Sequence, residues 1–279
     1  MLSILIPTYN YDCSSLVNEL NTLCSRADIK YEIIVGNDGS IIDLQNLEDL
    51  TQTLDNFKFL DFKENRGRSA IRNVLAKEAK YDKLLFIDSD MKIYKDDFIE
   101  NYIKEDSPVV SGGIKVIQDN NQKYLLHKKY EENRSVNIAT TSNLLVSKDV
   151  FDENNFIENV KKYGYEDIIF SQRVGKKYGI KFICNPLIHN GPIPTETFIK
   201  RISEATEVLV ELYKNNDYKN DIVESSKLLQ TYLKVKNVKW LFILFFKSTK
   251  GFIVKQLHSK KPSLLLMDIY KLGILCELI

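Results

Sequence analysis

The chain has 279 residues, a formal charge of +1 and a hydrophobic fraction of 44%, which suits one α/β domain with an appendage, or two small domains, and supplies ample material for a core. A near-neutral total carries no global nucleic-acid signature, so no nucleic-acid partner is expected. The charge is uneven, however: Lys227 to Ile279 holds ten lysines against Asp268 and Glu277, a net of +8, and the remaining residues carry −7.

Leu2 to Pro7 reads as a buried strand that begins directly after Met1, which predicts no leader segment, and Pro7 ends it in the loop Thr8-Tyr9-Asn10. Asp12 to Cys24 places Leu16, Val17, Leu20, Leu23 and Cys24 at helical spacing. Tyr31 to Val35 is a second strand, followed at once by Gly36-Asn37-Asp38-Gly39-Ser40. Strand, helix and strand make a βαβ unit with a right-handed crossover, and parallel pairing sets Thr8-Tyr9-Asn10 and Asn37-Asp38 on one rim. Asp38 lies between two glycines, so an ordinary turn would explain it equally well. Phe57 to Phe62 is a third strand, and about Ser69 to Lys80 is a helix with Ala70, Val74, Leu75 and Ala79 inward. Arg66, Arg68 and Arg72 crowd its start, where the macrodipole is already positive. They suit a nearby anion or an acceptor-rich base, or else pair with Glu64, Asp82 and solvent.

The segment Lys83 to Ile93, KLLFIDSDMKI, is the centre of the pattern. Leu84, Leu85, Phe86 and Ile87 form a continuous apolar run, as in a strand buried on both faces, and the run stops at Asp88-Ser89-Asp90. Two carboxylates at i and i+2 of an extended backbone point to one side. Their repulsion is relieved where a cation and a phosphate-bearing ligand meet the carboxyl end of a sheet. Taken alone, the triplet also fits a plain strand exit.

Asp96 to Ile103 then reads as a helix and Pro108 to Ile117 as a strand. Asp119 to Arg134 reads as an insertion of strand and loop, Val136 to Ser147 as a strand, and Phe151 to Lys161 mostly as loop. Tyr163-Gly164-Tyr165-Glu166-Asp167 opens a helix through Ile168, Ile169, Phe170 and Val174, and its dipole alone would favour two carboxylates in the first turn. After a strand at Ile180 to Cys184, His189, one of three histidines, falls just past a further extended segment. Thr195 to Leu212 and Ile222 to Val235 are amphipathic helical stretches, and from Lys239 lysines alternate with large apolar residues. No apolar run reaches the roughly 18 residues of a membrane-spanning helix. Cys13, Cys24, Cys184 and Cys276 lack metal-type spacing and read as small buried residues of a reducing compartment. The expected organisation is an α/β domain over 1–197 and a basic helical extension over 198–279.

Six segments in order carry a resemblance: ILIPTYN at 4–10, EIIVGNDGS at 32–40, NRGRSAIRN at 65–73, FIDSDM at 86–91, GYEDIIFSQRV at 164–174, and His189. Together they resemble the family 2 glycosyltransferases of the GT-A fold, over roughly residues 1–195. The resemblance implies a mostly parallel, Rossmann-like α/β sheet and an inverting, metal-dependent hexosyltransferase using a UDP-sugar. Pro7, Thr8, Tyr9 and Asp38 would line the nucleotide pocket, with Arg68 against base and diphosphate. Asp88, with Ser89 beside it, would face the ribose. Asp90 would hold Mn²⁺ or Mg²⁺, and His189 would be a second ligand or a diphosphate contact. Asp167 would be the general base and Glu166 an acceptor contact, Gly164 to Asp167 being similar to the acceptor-side motif of galactosyl- and N-acetylgalactosaminyltransferases.

These residue types suit the chemistry. A departing nucleoside diphosphate needs a Lewis acid on oxygen ligands, and a nitrogen ligand tilts the preference toward Mn²⁺. A sugar hydroxyl is a weak nucleophile until a carboxylate removes its proton during attack. Asn37 departs from the acidic pair common in its loop, and Thr141-Ser142-Asn143 replaces a glycine-rich acceptor loop, so donor-sugar contacts stay open. A sugar nucleotidyltransferase would carry a glycine-rich basic loop after the first strand, which ILIPTYNYDC lacks, and a Rossmann dehydrogenase would carry GxGxxG there. A non-catalytic binding module of the same fold would have little use for both Asp90 and Asp167. The acceptor is expected to be a glycan or lipid-linked saccharide. The tail from 227 to 279, with its cluster Trp240 to Phe246, is expected to contact the cytoplasmic face of a membrane, or else to pack on the catalytic domain or a second subunit as a homodimer.

Overall fold

The computed structural model describes residues 1–117, 121–134, 139–158 and 164–279. In chain order the elements are β1 (Leu2–Thr8), α1 (Ser14–Arg26), β2 (Tyr31–Asp38), α2 (Gln45–Thr53), β3 (Phe57–Phe62), α3 (Arg68–Glu78), β4 (Lys83–Ile87), β5 (Met91–Lys92), α4 (Phe98–Ile103), β6 (Val109–Ser111) and β7 (Ile114–Lys115). There follow a 3-10 turn at Gln122–Tyr124, α5 (Leu125–Arg134), β8 (Asn143–Ser147), α6 (Lys148–Glu153), α7 (Glu166–Tyr178), β9 (Lys181–Phe182) and β10 (Leu187–His189). The chain ends in α8 (Thr195–Lys214), α9 (Lys219–Ser225), α10 (Lys227–Val235), α11 (Lys239–Leu257) and α12 (Leu264–Leu278), with a 3-10 turn at Lys236–Val238.

Two compact units result, neither continuous in sequence. The first comprises Met1–Lys115, Ser135–Lys161 and Arg173–Gly191, and the second Val116–Arg134, Lys162–Gln172 and Pro192–Ile279. The sequence reading drew a single cut after residue 197.

The first unit is built on a seven-stranded sheet of order β3-β2-β1-β4-β8-β6-β9, in which only β8 runs antiparallel to its neighbours. The continuous apolar run of β4 buries Leu84, Leu85, Phe86 and Ile87 completely, one pair on each face. Burial of each such side chain stabilises by about 1.5–3 kcal/mol. Leu85 and Ile87 join Ile4, Ile6, Ile33 and Val35 in a core with α1 and α4. Phe86 faces the other way and packs on Phe151 and Phe156, at centroid distances of 5.2 and 5.9 Å. Helix α3 covers that second face at Gly36, where a Cβ would lie 2.8 Å from Ile71.

Strand order reverses direction between β1 and β4, since β2 and β3 lie to one side and β4 to the other. Ligands of open α/β sheets bind outside the carboxyl ends of strands at such a switch point. The opposite, amino end is closed by a satisfied polar cluster. There Ser3 donates to Glu32 (2.5 Å), and Glu32 also accepts from the backbone of Lys80 (2.7 Å).

A second, three-stranded sheet of order β5-β10-β7 grows from the carboxyl end of β4. It is held by a buried polar network. Asn143 accepts from the Tyr102 hydroxyl (2.6 Å) and donates to the carbonyls of Gly113 (2.8 Å) and Asn185 (2.9 Å). One side chain thus ties β8 to the segments that enter β7 and β10.

The second unit is helical. Leu126, Phe198, Phe246, Met267 and Tyr270 are at its core. Gly273 lets α12 approach α11, because a Cβ there would overlap the Phe246 ring.

Several sequence expectations change. The insertion read as strand and loop contains a 3-10 turn and helix α5, anchored by Leu126 and Tyr130 at i and i+4. The long strand expected at 136–147 is strand only at Asn143–Ser147. The stretch read mostly as loop begins inside α6, whose Val150 and Phe151 are buried. Helix α2 had no clear signal, as Leu47 is its only fully buried residue. The stretch at 222–235 lies in two helices, the second capped by the Ser226 hydroxyl on the Leu229 amide (3.2 Å). Cys184 is exposed, whereas the other three cysteines are buried. Expectations for 119–120, 136–138, 159–161 and Tyr163 lie outside the described residues.

Candidate active site

The loops after β1 and β2 are stitched together on the carboxyl rim. The Asn10 amide donates to the Ser40 hydroxyl (2.7 Å), and the Ile41 amide donates to the Asn10 side-chain oxygen (2.8 Å). Asn10 reaches this position with φ +53°, in the left-handed region that asparagine tolerates. Thr8 is buried and donates to the Tyr11 carbonyl (2.6 Å), Pro7 is half-buried, and Tyr9 is exposed at the surface.

Asp38, buried at the end of β2, accepts from the backbone amides of Arg66 (2.7 Å) and Gly67 (3.0 Å). It therefore fixes the loop that leads into α3. Each carboxylate oxygen has a second lone pair, so a further donor can still be accommodated. Asn37 donates to Asp61 (2.7 Å) and accepts from the Ser40 amide (3.0 Å), which is the structural use of the amide found there instead of a carboxylate.

Beyond β4, Asp88, Ser89 and Asp90 are half-buried. Asp88 is paired with Arg72, whose guanidinium reaches it from α3 at 2.5 Å and also donates to the Arg68 carbonyl (3.2 Å). The sequence grouped Arg72 with Arg66 and Arg68 at the start of a helix and did not single it out. Four residues into α3, Arg72 is buried, while Arg68 is exposed. Positions four apart share one face of a helix, so the spacing gave no signal of which arginine would be buried.

Asp90 lies 3.1 Å from the Nε2 of His189. The pairing of β5 with β10 sets His189 opposite Met91, and the Asn190 amide donates to the Asp90 carbonyl (3.0 Å), which brings the two side chains together. His189 is therefore the last residue of a strand and not a loop residue beyond one. Burial pushes the Asp90 carboxyl up, but the hydrogen bond and charge of His189, with the charge of Arg68, outweigh it and hold the group below the ordinary carboxylate range. Gly191 keeps the approach open: a Cβ would stand 3.0 Å from Asp90 Oδ2 and 3.4 Å from His189 Nε2.

An oxygen and a nitrogen donor 3.1 Å apart match the spacing of two adjacent ligands on one octahedral cation, about 3 Å for bonds near 2.1 Å. The pair fits a borderline divalent ion such as Mn²⁺ better than an all-oxygen site would.

Glu166 and Asp167 open α7 in the second unit. Gly164 and Tyr165 precede them with φ of +128° and +69°, and the tyrosine is a strained residue in a region usually left to glycine. Glu166 is buried and accepts from the Gly164 amide (3.1 Å), and Asp167 is half-buried and accepts from the Ile168 amide (2.8 Å).

Fold and rim together define an open α/β sheet whose polar side chains gather at the switch point between β1 and β4. Residues 3–173 match the model of Glycosyl transferase family 2, and the chain belongs to that family. Its sheet with flanking helices is the GT-A fold. It is 31% identical over 129 residues to the chondroitin synthase of Escherichia coli, covering 44% of this chain and 19% of that protein. It is 30% identical over 95 residues to the putative glycosyltransferase CsbB of Bacillus subtilis, covering 33% of this chain and 29% of that one. The matches thus span less than a third of either curated relative. Among solved structures, S. aureus TarS 1-349 superposes with a TM-score of 0.52 at 19% identity, over 98% of this chain and 88% of that one. The Pyrobaculum calidifontis mannosyltransferase PcManGT, in complex with GDP-Man and Mn²⁺, superposes with a TM-score of 0.62 at 13% identity, over 99% and 86%. TarS 1-349 has also been solved with UDP-GlcNAc.

Proposed function

We propose that the chain moves a sugar from a nucleoside-diphosphate donor to a hydroxyl of a glycan or lipid-linked glycan. The donor is a UDP-sugar of the galactose, glucose or N-acetylhexosamine type. The observation that carries this reading is the Asp90–His189 pair, 3.1 Å apart, beside the Arg72-held Asp88 at the switch point of the sheet. The nucleotide sugars bound by TarS and PcManGT, and the Mn²⁺ of the latter, support it.

In this reading Pro7, Thr8, Tyr9 and Asp38 line the base pocket, and the exposed Arg68 meets the diphosphate. Asp88, with Ser89, accepts from the ribose hydroxyls, and Arg72 fixes its rotamer. Asp90 and His189 hold Mn²⁺ or Mg²⁺. When bound, the ion takes up negative charge on the departing diphosphate. Asp167 accepts the proton of the acceptor hydroxyl as its oxygen attacks the anomeric carbon, and Glu166 orients that hydroxyl. The new C–O bond forms on the face opposite the breaking bond to the diphosphate oxygen, so the anomeric centre inverts. The proton ends on Asp167, and no covalent sugar–enzyme species is needed.

The test is a panel of nucleotide sugars, incubated with the protein in Mn²⁺, Mg²⁺ or EDTA, with release of nucleoside diphosphate as the readout. Release confined to one donor group and abolished by EDTA supports the proposal. Pyrophosphate release from a nucleoside triphosphate and a sugar phosphate would make the protein a nucleotidyltransferase instead.

A further inference from the structure

Helix α11 is apolar on two opposite faces. Phe246, Ile253 and Leu257 are at most 1% exposed and pack in the core that also holds Met267 and Tyr270 of α12. Trp240, Leu241, Leu244, Phe245 and Phe252 are 50–68% exposed. With 3.6 residues per turn, these five fall within one sector of about 140°, centred roughly opposite the buried set. An ordinary surface helix places charged residues in that sector. Here Lys255 lies within it and Lys247 at its margin, both exposed.

We infer that this outer face of α11 docks on an anionic lipid bilayer, with the helix lying in the plane of the interface. The inference goes beyond the donor reading and does not rest on it. Among the described residues no helix is long and apolar enough to cross a membrane. A helix with five large exposed apolar side chains and flanking lysines instead has the make-up of an interfacial one, apolar groups entering the acyl boundary and lysines meeting headgroups. Charge selects this occupant over a second copy of the chain. The segment 227–279 carries +8, so self-association through this face would bring two like-charged surfaces together, whereas an anionic leaflet is complementary.

Trp240 is the sole tryptophan of the chain and belongs to the face, so it reports docking directly. The full-length protein is titrated with vesicles of phosphatidylcholine alone and of phosphatidylcholine with phosphatidylglycerol, at low and high salt. The expected result is a shift of Trp240 emission to shorter wavelength, and quenching by bromine-labelled acyl chains, only with the anionic vesicles and weaker in high salt. Reversing both charges, Lys247→Glu with Lys255→Glu, should weaken partitioning about 25-fold or more, at about five-fold per lysine. Leu244→Ser with Phe252→Ser should abolish it with the charge unchanged and the circular dichroism intact. Equal binding to neutral vesicles, or no response to either kind, would overturn the inference. So would an emission shift that grows with protein concentration without lipid, accompanied by a dimer in ultracentrifugation.

Discussion

The Arg72 guanidinium, 2% exposed, lies 2.5 Å from the Asp88 carboxylate, which is 23% exposed. The asymmetry of burial matters more than the contact. Removing the carboxylate strands a charge inside the protein, whereas removing the arginine leaves a carboxylate that water can reach. Asp88→Ala should therefore destabilise by about 3 kcal/mol, near the lower end for breaking a buried pair. Arg72→Met, which keeps the packing over Phe156 and removes the charge, should cost only about 1 kcal/mol. Urea denaturation of the two variants checks the order.

Gly191→Ala tests the proposed cation site by crowding it. The added methyl would stand 3.0 Å from Asp90 Oδ2 on the side left open by glycine. Mn²⁺ affinity should fall about tenfold, equivalent to about 1.4 kcal/mol, with little change in thermal stability. Titration calorimetry with Mn²⁺ measures it, and an unchanged affinity would mean that the ion binds elsewhere.

Tyr102→Phe removes the donor to Asn143 Oδ1 and leaves that oxygen buried. The cost should be about 1–3 kcal/mol, the desolvation of an orphaned acceptor. Because Asn143 also holds Gly113 and Asn185, hydrogen exchange should rise in the segments around both residues.

Asp167→Asn keeps the size of the side chain and removes its basicity. If Asp167 is the base, kcat falls by about 10²–10⁴ and donor affinity barely moves. Loss of nucleotide binding with normal turnover per bound donor would reassign the residue.

The parts of the molecule that announced themselves in sequence are those where one physical demand dominates. Leu84 to Ile87 are buried on both faces, and such a strand has to read as an unbroken apolar run that Asp88 can interrupt. The contact of Asp90 with His189 was not legible as such, because it depends on strands of two and three residues whose pairing no periodicity records. Helix α5 was hidden for another reason. His127 and Lys128 are buried polar residues, so the burial pattern and the hydrophobicity pattern disagree. Arg72 was visible only as one cation among three, since charge in a sequence says nothing about which side chain will point inward.

The three-stranded sheet has a consequence for synthesis. Asp90 and His189 are 99 positions apart, and β5 has no partner in that sheet until β10 exists. A nascent chain that has emerged only as far as β8 can already assemble β1, β2, β3 and β4 and present the two aspartates. It can complete the aspartate–histidine pair only after residue 189 has also left the ribosome. Closing so long a loop is entropically slow, and the core strands will form before it. The proposed cation site should therefore be among the last features completed during folding.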